Sequence, residues 1–247
     1  MNPNLIALLI DAWRTFRREA DLLLRIAGAL VFLPAFAVQL LCDPLPALPT
    51  ERDERAMQVW LDAVSAWGQG NAFWYVAADL LGMIGLAAVA LMLLDRRGPS
   101  VRDALADVGR RLPRFILANL LVAIPVGLGL WVFILPGLYL QARLIAAIPA
   151  LAAEPGLSAA RAVRRSWGMT ATHGWAILGA IVALFLLQWL IVSPLLPAET
   201  WLRTPGHENP FVIALVAALL AAASTVYNLA LLLLGVVAYR RWASIGT

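Results

Sequence analysis

Two ionisable residues interrupt segments that are otherwise apolar, and they are the first candidates for chemistry in this sequence. Asp79 lies within the apolar segment 72–94, and Arg143 lies within the apolar segment 138–153. Ionisable side chains inside membrane-spanning segments are costly and commonly functional. Counted from the ends that we expect to face outward, both lie about 8 to 10 Å deep, which predicts an ion pair. The pair would serve either as a polar cavity or headgroup site, or as a structural link between two helices.

A second set of candidates consists of arginines that lie beside the apolar segments. All 19 basic residues of the chain are arginines. Basic residues next to membrane spans are attracted to the phosphates of anionic lipids, and tryptophan is typical of the same interface. The candidates for binding a lipid headgroup are Arg110, Arg111, Arg161, Arg164, Arg165 and Trp167.

No catalytic or metal-binding pattern accompanies these residues in the sequence. We find no nucleophile elbow, no phosphate-binding loop with lysine and no pair of carboxylates within one apolar segment. Cys42 is the single cysteine, and with His173 and His207 it provides too few ligands for a conventional zinc site. We therefore expect a protein without enzymatic activity, without a metal and without another cofactor.

The composition places all of these residues in a membrane protein. Hydrophobic residues make up 62% of the chain and charged residues 14%, whereas soluble domains carry about 25% charged residues. The mean hydropathy is +0.81. This composition excludes a soluble enzyme, a disordered chain and a nucleic-acid-binding protein, although the isoelectric point is about 10.0. Since about 20 apolar residues cross the hydrocarbon layer as a helix, we predict six spans, at residues 22–41, 72–94, 115–135, 138–153, 175–195 and 211–239.

Prolines mark the places where these spans should turn or bend. Pro136 and Gly137 separate the third predicted span from the fourth, which indicates a tight helical hairpin. The fourth span is short, and its sequence is compatible with a full crossing and with a turn inside the bilayer. Pro34, Pro125 and Pro149 lie within predicted spans, where they are expected to kink the helices.

The arginines also predict the orientation of the chain. Fifteen of them lie on the side of the predicted spans that contains both termini, three lie on the other side, and Arg143 lies within a span. Cytoplasmic loops carry the excess of basic residues. We therefore expect both termini to be cytoplasmic in a multi-pass protein of the bacterial inner (plasma) membrane.

Three arginine-rich segments directly precede the first, third and fifth predicted spans. In each segment apolar residues recur with the helical period, and the charged residues occupy the opposite face. This pattern predicts amphipathic helices that lie in the inner headgroup region with their apolar faces toward the acyl chains. The predicted interfacial helices are residues 4–20, 100–112 and 157–170.

The second and third of these segments allow more specific predictions. Ser100 followed by Asp103 resembles a capping box that would start the second helix. In the third segment, Ala160, Val163 and Trp167 form the predicted apolar face.

We thus predict an all-α integral membrane protein with one domain, residues 1–247. It is built as three units, 1–95, 96–154 and 155–247, each an amphipathic interfacial helix followed by a transmembrane hairpin. Two other interpretations fit the same pattern. In the first, the three arginine-rich segments are charged cytoplasmic loops that only set the topology. In the second, they are helices packed on the cytoplasmic ends of the bundle.

Residues 130–180 contain a series of motifs, which are Leu135-Pro136-Gly137-Leu138-Tyr139, Arg143, Pro149, Glu154, Gly156, Leu157, Ala159, Ala160, Arg164-Arg165-Ser166-Trp167 and His173-Gly174-Trp175. This stretch resembles the YciC-type family of six-helix bacterial inner-membrane proteins. It also resembles the membrane domain that is fused to glycerophosphodiester phosphodiesterases. The resemblance implies an inner-membrane protein of poorly defined function in envelope or lipid homeostasis. The 247 residues lack the phosphodiesterase barrel, so we do not expect hydrolytic activity.

Together these patterns favour a non-enzymatic membrane protein that binds anionic phospholipid and supports envelope lipid homeostasis or a lipid-handling partner. The expected partners are membrane phospholipids, with a membrane protein or a second copy of the chain as a further partner, and nucleic acid is not expected. The alternative is a small transporter or channel that uses an Asp79–Arg143 site. An intramembrane lipid-modifying enzyme would need a cluster of catalytic groups that the sequence does not show.

Overall fold

The computed structural model describes residues 5–46, 48–51, 53–95, 98–204, 206 and 209–243, and these residues form helices without strands. Six helical segments in this part of the chain are long and apolar enough to cross a membrane, which confirms the predicted class. Residue 4 of the first predicted interfacial helix and His207 lie outside the described residues. The helices are α1 (Leu5–Ala27), α2 (Leu33–Leu41), α3 (Glu54–Leu94), α4 (Val101–Arg110), α5 (Leu112–Val132), α6 (Ile134–Leu144), α7 (Ala147–Ala153), α8 (Ala159–Met169), α9 (Gly174–Val192), α10 (Leu195–Leu202) and α11 (Pro210–Trp242).

The first helical segment joins the predicted interfacial helix directly to the first predicted span. A π-helical turn at Gly28–Phe32 connects α1 to α2, so the helix runs over 37 residues, Leu5–Leu41. This length is about 55 Å, well above the hydrocarbon thickness of about 30 Å. Glu19 has a non-helical backbone (φ −113°, ψ 18°). The boundary that we predicted between residues 20 and 22 is therefore a kink in a continuous helix.

The second span, α3, begins 18 residues before its predicted start at residue 72. The segment after α2 packs along this additional helical part. Trp67 Nε1 donates a hydrogen bond to the Asp43 carbonyl oxygen at 2.8 Å, and Trp60 Nε1 donates to the Pro46 carbonyl oxygen at 3.1 Å. These contacts hold residues 43–46 against α3, at its end remote from Leu94.

The hairpin between the third and fourth spans turns earlier than predicted. Phe133 is the single extended residue between α5 and α6 (φ −154°, ψ 137°), and Pro136 lies in the first turn of α6. A proline is tolerated there because the first turn needs no intrahelical N–H donor. Gly137 is required for close packing, since a Cβ atom at this position would lie 2.4 Å from the backbone nitrogen of Leu130.

The fourth span is broken in its middle, at Ile145 and Ala146, between α6 and α7. Pro149 explains this break because it lacks the N–H group that would donate to the Ile145 carbonyl oxygen in a continuous helix. That oxygen instead lies against Gly235 of α11, where a Cβ atom would be 2.4 Å away. The kink predicted at Pro149 is thus present, whereas Pro125 lies inside α5 without interrupting it.

The amphipathic segment α4 packs on the end of the bundle. The capping box is confirmed, because Ser100 Oγ accepts from Asp103 N at 3.2 Å and Asp103 Oδ2 accepts from Ser100 N at 3.3 Å. Ala104 and Val108 are buried, and the helix packs mainly against α3. This arrangement agrees with the interpretation in which the amphipathic helices pack on the bundle.

The third amphipathic segment, α8, buries a different face from the predicted one. Its buried residues are Ala159, Ala162, Ser166 and Met169, whereas Ala160 and Trp167 are exposed. Small side chains let α8 pack closely against α5 and α7. The buried side chains of α8 are therefore distinguished by their small size more than by their hydrophobicity. The three-unit organisation and the cytoplasmic location of the termini stay predictions.

Replacing Gly137 tests the close packing of the hairpin. We expect Gly137→Ala to lower the free energy of unfolding by about 1–3 kcal/mol, because the new methyl group must displace the backbone of Leu130. Gly127→Ala is the matched control in α5, where no atom lies within 4 Å of the new Cβ. Thermal unfolding in detergent, followed by tryptophan fluorescence, measures both effects. Equal stability of the two variants would contradict the proposed role of Gly137.

Candidate functional site

Arg143 lies where α6 meets the C-terminal end of α8. Its Nη2 donates to the Trp167 carbonyl oxygen at 2.6 Å, and its Nη1 donates to the Tyr139 hydroxyl at 3.3 Å. The guanidinium carbon lies 4.3 Å from the centre of the Trp167 ring, which is a cation–π contact. The residue is only 7% exposed. This buried cation therefore lies against a carbonyl oxygen and an aromatic face. Among the described residues, no carboxylate pairs with it.

The ion pair predicted between Asp79 and Arg143 does not form. Gln141, Leu144 and Ile145 of α6 line the same cavity as Asp79, whereas Arg143 leaves the helix on another side and contacts α8. Depths counted along straight helices placed the two residues at one level. A similar depth does not bring them together, because Arg143 is directed toward α8 and Asp79 toward the cavity.

The break in the fourth span exposes backbone groups that side chains of α8 satisfy. Ser166 Oγ donates to the Arg143 carbonyl oxygen at 2.9 Å and accepts from Ala146 N at 3.2 Å. Thr170 Oγ1 lies 3.0 Å from the same carbonyl oxygen and 2.8 Å from the Ser166 carbonyl oxygen. Both residues are 0% exposed. Because a bilayer offers no other partner to backbone groups, these hydroxyls permit the helix to break here. We call this region the α6–α8 junction.

Arg165 connects the α6–α8 junction to α11. Its Nε lies 2.9 Å from Glu154 Oε1, and Tyr239 Oη donates to the same carboxylate oxygen at 2.8 Å. Arg165 Nη2 also donates to the Ala243 carbonyl oxygen at 3.3 Å. Arg165 was a candidate for binding a lipid headgroup, but this network engages its guanidinium within the protein.

Arg110 and Arg111 share one carboxylate, that of Asp107. The Arg110 side chain is 74% exposed, whereas that of Arg111 is only 12% exposed. Burial lowers the pKa of Arg111, and the neighbouring Arg114 lowers it further. Arg111 is therefore a structural residue at the junction of α4 and α5, and Arg110 extends toward the surroundings.

Arg161, Arg164 and Trp167 lie at intervals of three residues on the exposed side of α8, so they share one face of the helix. We call these three residues the α8 stripe. Arg161 Nε donates to Ser158 Oγ at 3.2 Å, and Ser158 also caps the helix through Arg161 N. Trp167 is 43% exposed and its ring contacts Arg143. The stripe presents two guanidinium groups beside an aromatic ring.

A polar cavity of about 450 Å³ lies between α2, α3, α5, α6, α7 and α11. The sequence offered no signal that the polar residues of the spans surround one space. The residues come from segments far apart in the chain, and only the packing brings them together. The polar side chains that line the cavity are Gln39, Tyr75, Asp79, Asn119, Gln141, Ser224 and Asn228.

The fold and these sites define a multi-pass helical membrane protein whose spans are linked at a broken helix. The family model described as the membrane domain of glycerophosphoryl diester phosphodiesterase matches residues 110–239, which is more than half of the 247 residues. The chain belongs to this family, as the resemblance of residues 130–180 indicated. No curated protein and no solved structure matches the chain. The matched region contains the whole α6–α8 junction.

Ser166→Ala tests whether α8 satisfies the broken helix. The variant leaves the Ala146 N–H without its acceptor in an apolar environment. We therefore expect a loss of about 1–3 kcal/mol in the free energy of unfolding. Ser65→Ala, an exposed serine in α3, is the control and should change stability by less than about 0.5 kcal/mol. Unfolding in detergent compares the two, and a Ser166→Ala variant as stable as the control would refute the assignment.

A double-mutant cycle tests the separation of Asp79 from Arg143. The variants are Asp79→Asn, Arg143→Gln and their combination. Because the two side chains share no partner among the described residues, we expect the losses of stability to add within about 0.5 kcal/mol. A coupling energy above about 1 kcal/mol in the same unfolding assay would show that the two residues interact.

Proposed function

We propose that this membrane protein binds the headgroups of anionic phospholipids through the α8 stripe and catalyses no reaction of its own. One observation carries the proposal. Arg161 and Arg164 are exposed on a helix whose opposite face is buried in the bundle. The packed helix therefore fixes where the two arginines leave the backbone, and guanidinium groups bind phosphate through directed hydrogen bonds.

The other predicted headgroup residues contribute less to such a surface. Arg165 is engaged by Glu154 and Arg111 by Asp107. Arg110 extends outward but shares Asp107. Headgroup binding is thus assigned to Arg161 and Arg164, with Trp167 at the interface and Arg110 at the periphery.

An apolar groove supports contact with lipid on another side of the molecule. It has a volume of about 450 Å³ and lies between α1, the π-helical turn, α9 and α11. Trp13, Phe16, Leu184 and Val226 are among its lining residues, and the exposed Arg17 follows Trp13 by one turn. These surroundings suit an acyl chain whose headgroup lies near the arginine.

The family name adds a chemical connection. It refers to an enzyme that acts on glycerophosphoryl diesters, and a glycerophosphoryl diester is the polar part of a glycerophospholipid. A domain of this family is therefore expected beside lipid headgroups. We place the protein in the bacterial inner membrane with cytoplasmic termini, on the basis of the arginine distribution, where it supports envelope lipid homeostasis or a lipid-handling partner.

The alternative function, a small transporter or channel, depended on an Asp79–Arg143 pair. The two residues do not pair, and Arg143 is part of the α6–α8 junction. We therefore favour headgroup binding.

Combining Arg161→Gln with Arg164→Gln tests the proposal. Each arginine contributes about 1 kcal/mol to the attraction of an anionic membrane surface, so we expect about thirtyfold weaker retention of anionic phospholipid. Native mass spectrometry of the protein, gently extracted from its own membrane, measures the lipid that remains bound. Arg55→Gln, an exposed arginine at the far end of α3, is the control. Equal retention by the double variant and the control would refute headgroup binding by the α8 stripe.

A further inference from the structure

Asp79 is an ionisable group within a membrane span that the proposed headgroup site does not use. It lies 15 residues before Leu94 on α3, which is about 22 Å along the helix and therefore within the bilayer. Its side chain is exposed to the polar cavity and makes no hydrogen bond or ion pair with the residues that the structure describes. A carboxylate at this depth is costly without a partner.

Arginines close to the cavity are engaged elsewhere. Arg143 binds the Trp167 carbonyl oxygen. Arg203 Nη2 donates to Glu199 Oε1 at 3.1 Å and to the Gln39 carbonyl oxygen at 2.6 Å. Among the described residues that line the cavity, Asp79 is the one charged residue. When ionised, Asp79 gives the cavity a negative charge, which favours a cation.

The neutral groups of the cavity determine which kind of cation fits. Asn119, Gln141, Ser224 and Asn228 provide amide and hydroxyl oxygens that accept hydrogen bonds. A primary ammonium group has three N–H donors, one for the carboxylate and two for these oxygens. A quaternary ammonium group is typically bound by several aromatic rings, and Tyr75 is the one aromatic residue among the described lining residues.

We propose that the cavity binds a primary ammonium group, with Asp79 as its counter-ion and the neighbouring amide and hydroxyl oxygens as acceptors. The volume of about 450 Å³ lies in the range of small-molecule sites. Two sources share this chemistry, the ethanolamine headgroup of a phospholipid and a free primary amine. This site is separate from the α8 stripe, which binds phosphate, so either proposal can fail without the other.

The test follows thermal unfolding of the purified full chain in detergent while ethanolamine, lysophosphatidylethanolamine, choline or sodium chloride is titrated. We expect saturable stabilisation by an ethanolamine compound and none by choline. Asp79→Asn should weaken this response at least about tenfold, and Asn228→Ala should weaken it to a smaller extent. Asp62→Asn removes the same charge from an exposed position on α3 and should respond like the native protein.

The titrations also distinguish the two sources. Stabilisation by free ethanolamine indicates a free amine as ligand, whereas stabilisation by lysophosphatidylethanolamine alone indicates a lipid headgroup. The proposal is overturned if neither compound stabilises the protein, if choline or sodium is as effective, or if Asp79→Asn responds like Asp62→Asn. The Arg161→Gln and Arg164→Gln variant should retain the ethanolamine response, which separates this result from the test of the α8 stripe.

Discussion

The need to satisfy backbone groups inside a bilayer determines how the central part of this protein is assembled. Pro149 prevents a continuous fourth span, and the groups released at the break cannot turn to lipid. Ser166 provides the acceptor for Ala146 N and a donor for the Arg143 carbonyl oxygen. Since these bonds require α8 to lie against the break, an amphipathic helix that could rest on the membrane surface becomes part of the bundle.

The position of α8 divides its charged residues into two groups. Ser166 faces the break, so Arg165 is directed toward Glu154 and α11, and Arg161 and Arg164 are directed away from the bundle. Neighbouring arginines in one motif therefore have different roles, one in holding helices together and the others in meeting the surroundings. The hydrogen bonds that satisfy the broken helix thus also determine which arginines of α8 are exposed.

The sequence predicts the number of spans because crossing the hydrocarbon layer requires an apolar run of about 20 residues. The predicted first span ends at Leu41 and the second at Leu94, as in the structure, and the capping box of Ser100 depends only on neighbouring residues. The buried face of α8 was not predicted, since close packing there selects small residues and a serine. The pairing of Asp79 was not predicted correctly either, because a depth counted along a span does not show which neighbour a side chain faces in the bundle.

The broken helix also shapes the polar cavity. Ile145 and Pro149 line the cavity, and the same two residues contact Gly235 of α11. Because Pro149 cannot donate to the Ile145 carbonyl oxygen, this oxygen packs against Gly235, and this packing supports the wall of the cavity. Any side chain at position 235 would press on the Ile145 carbonyl oxygen in this wall. A glycine in α11 and a proline in α7 thus act together, far apart in sequence, to shape one wall of the cavity that Asp79 also lines.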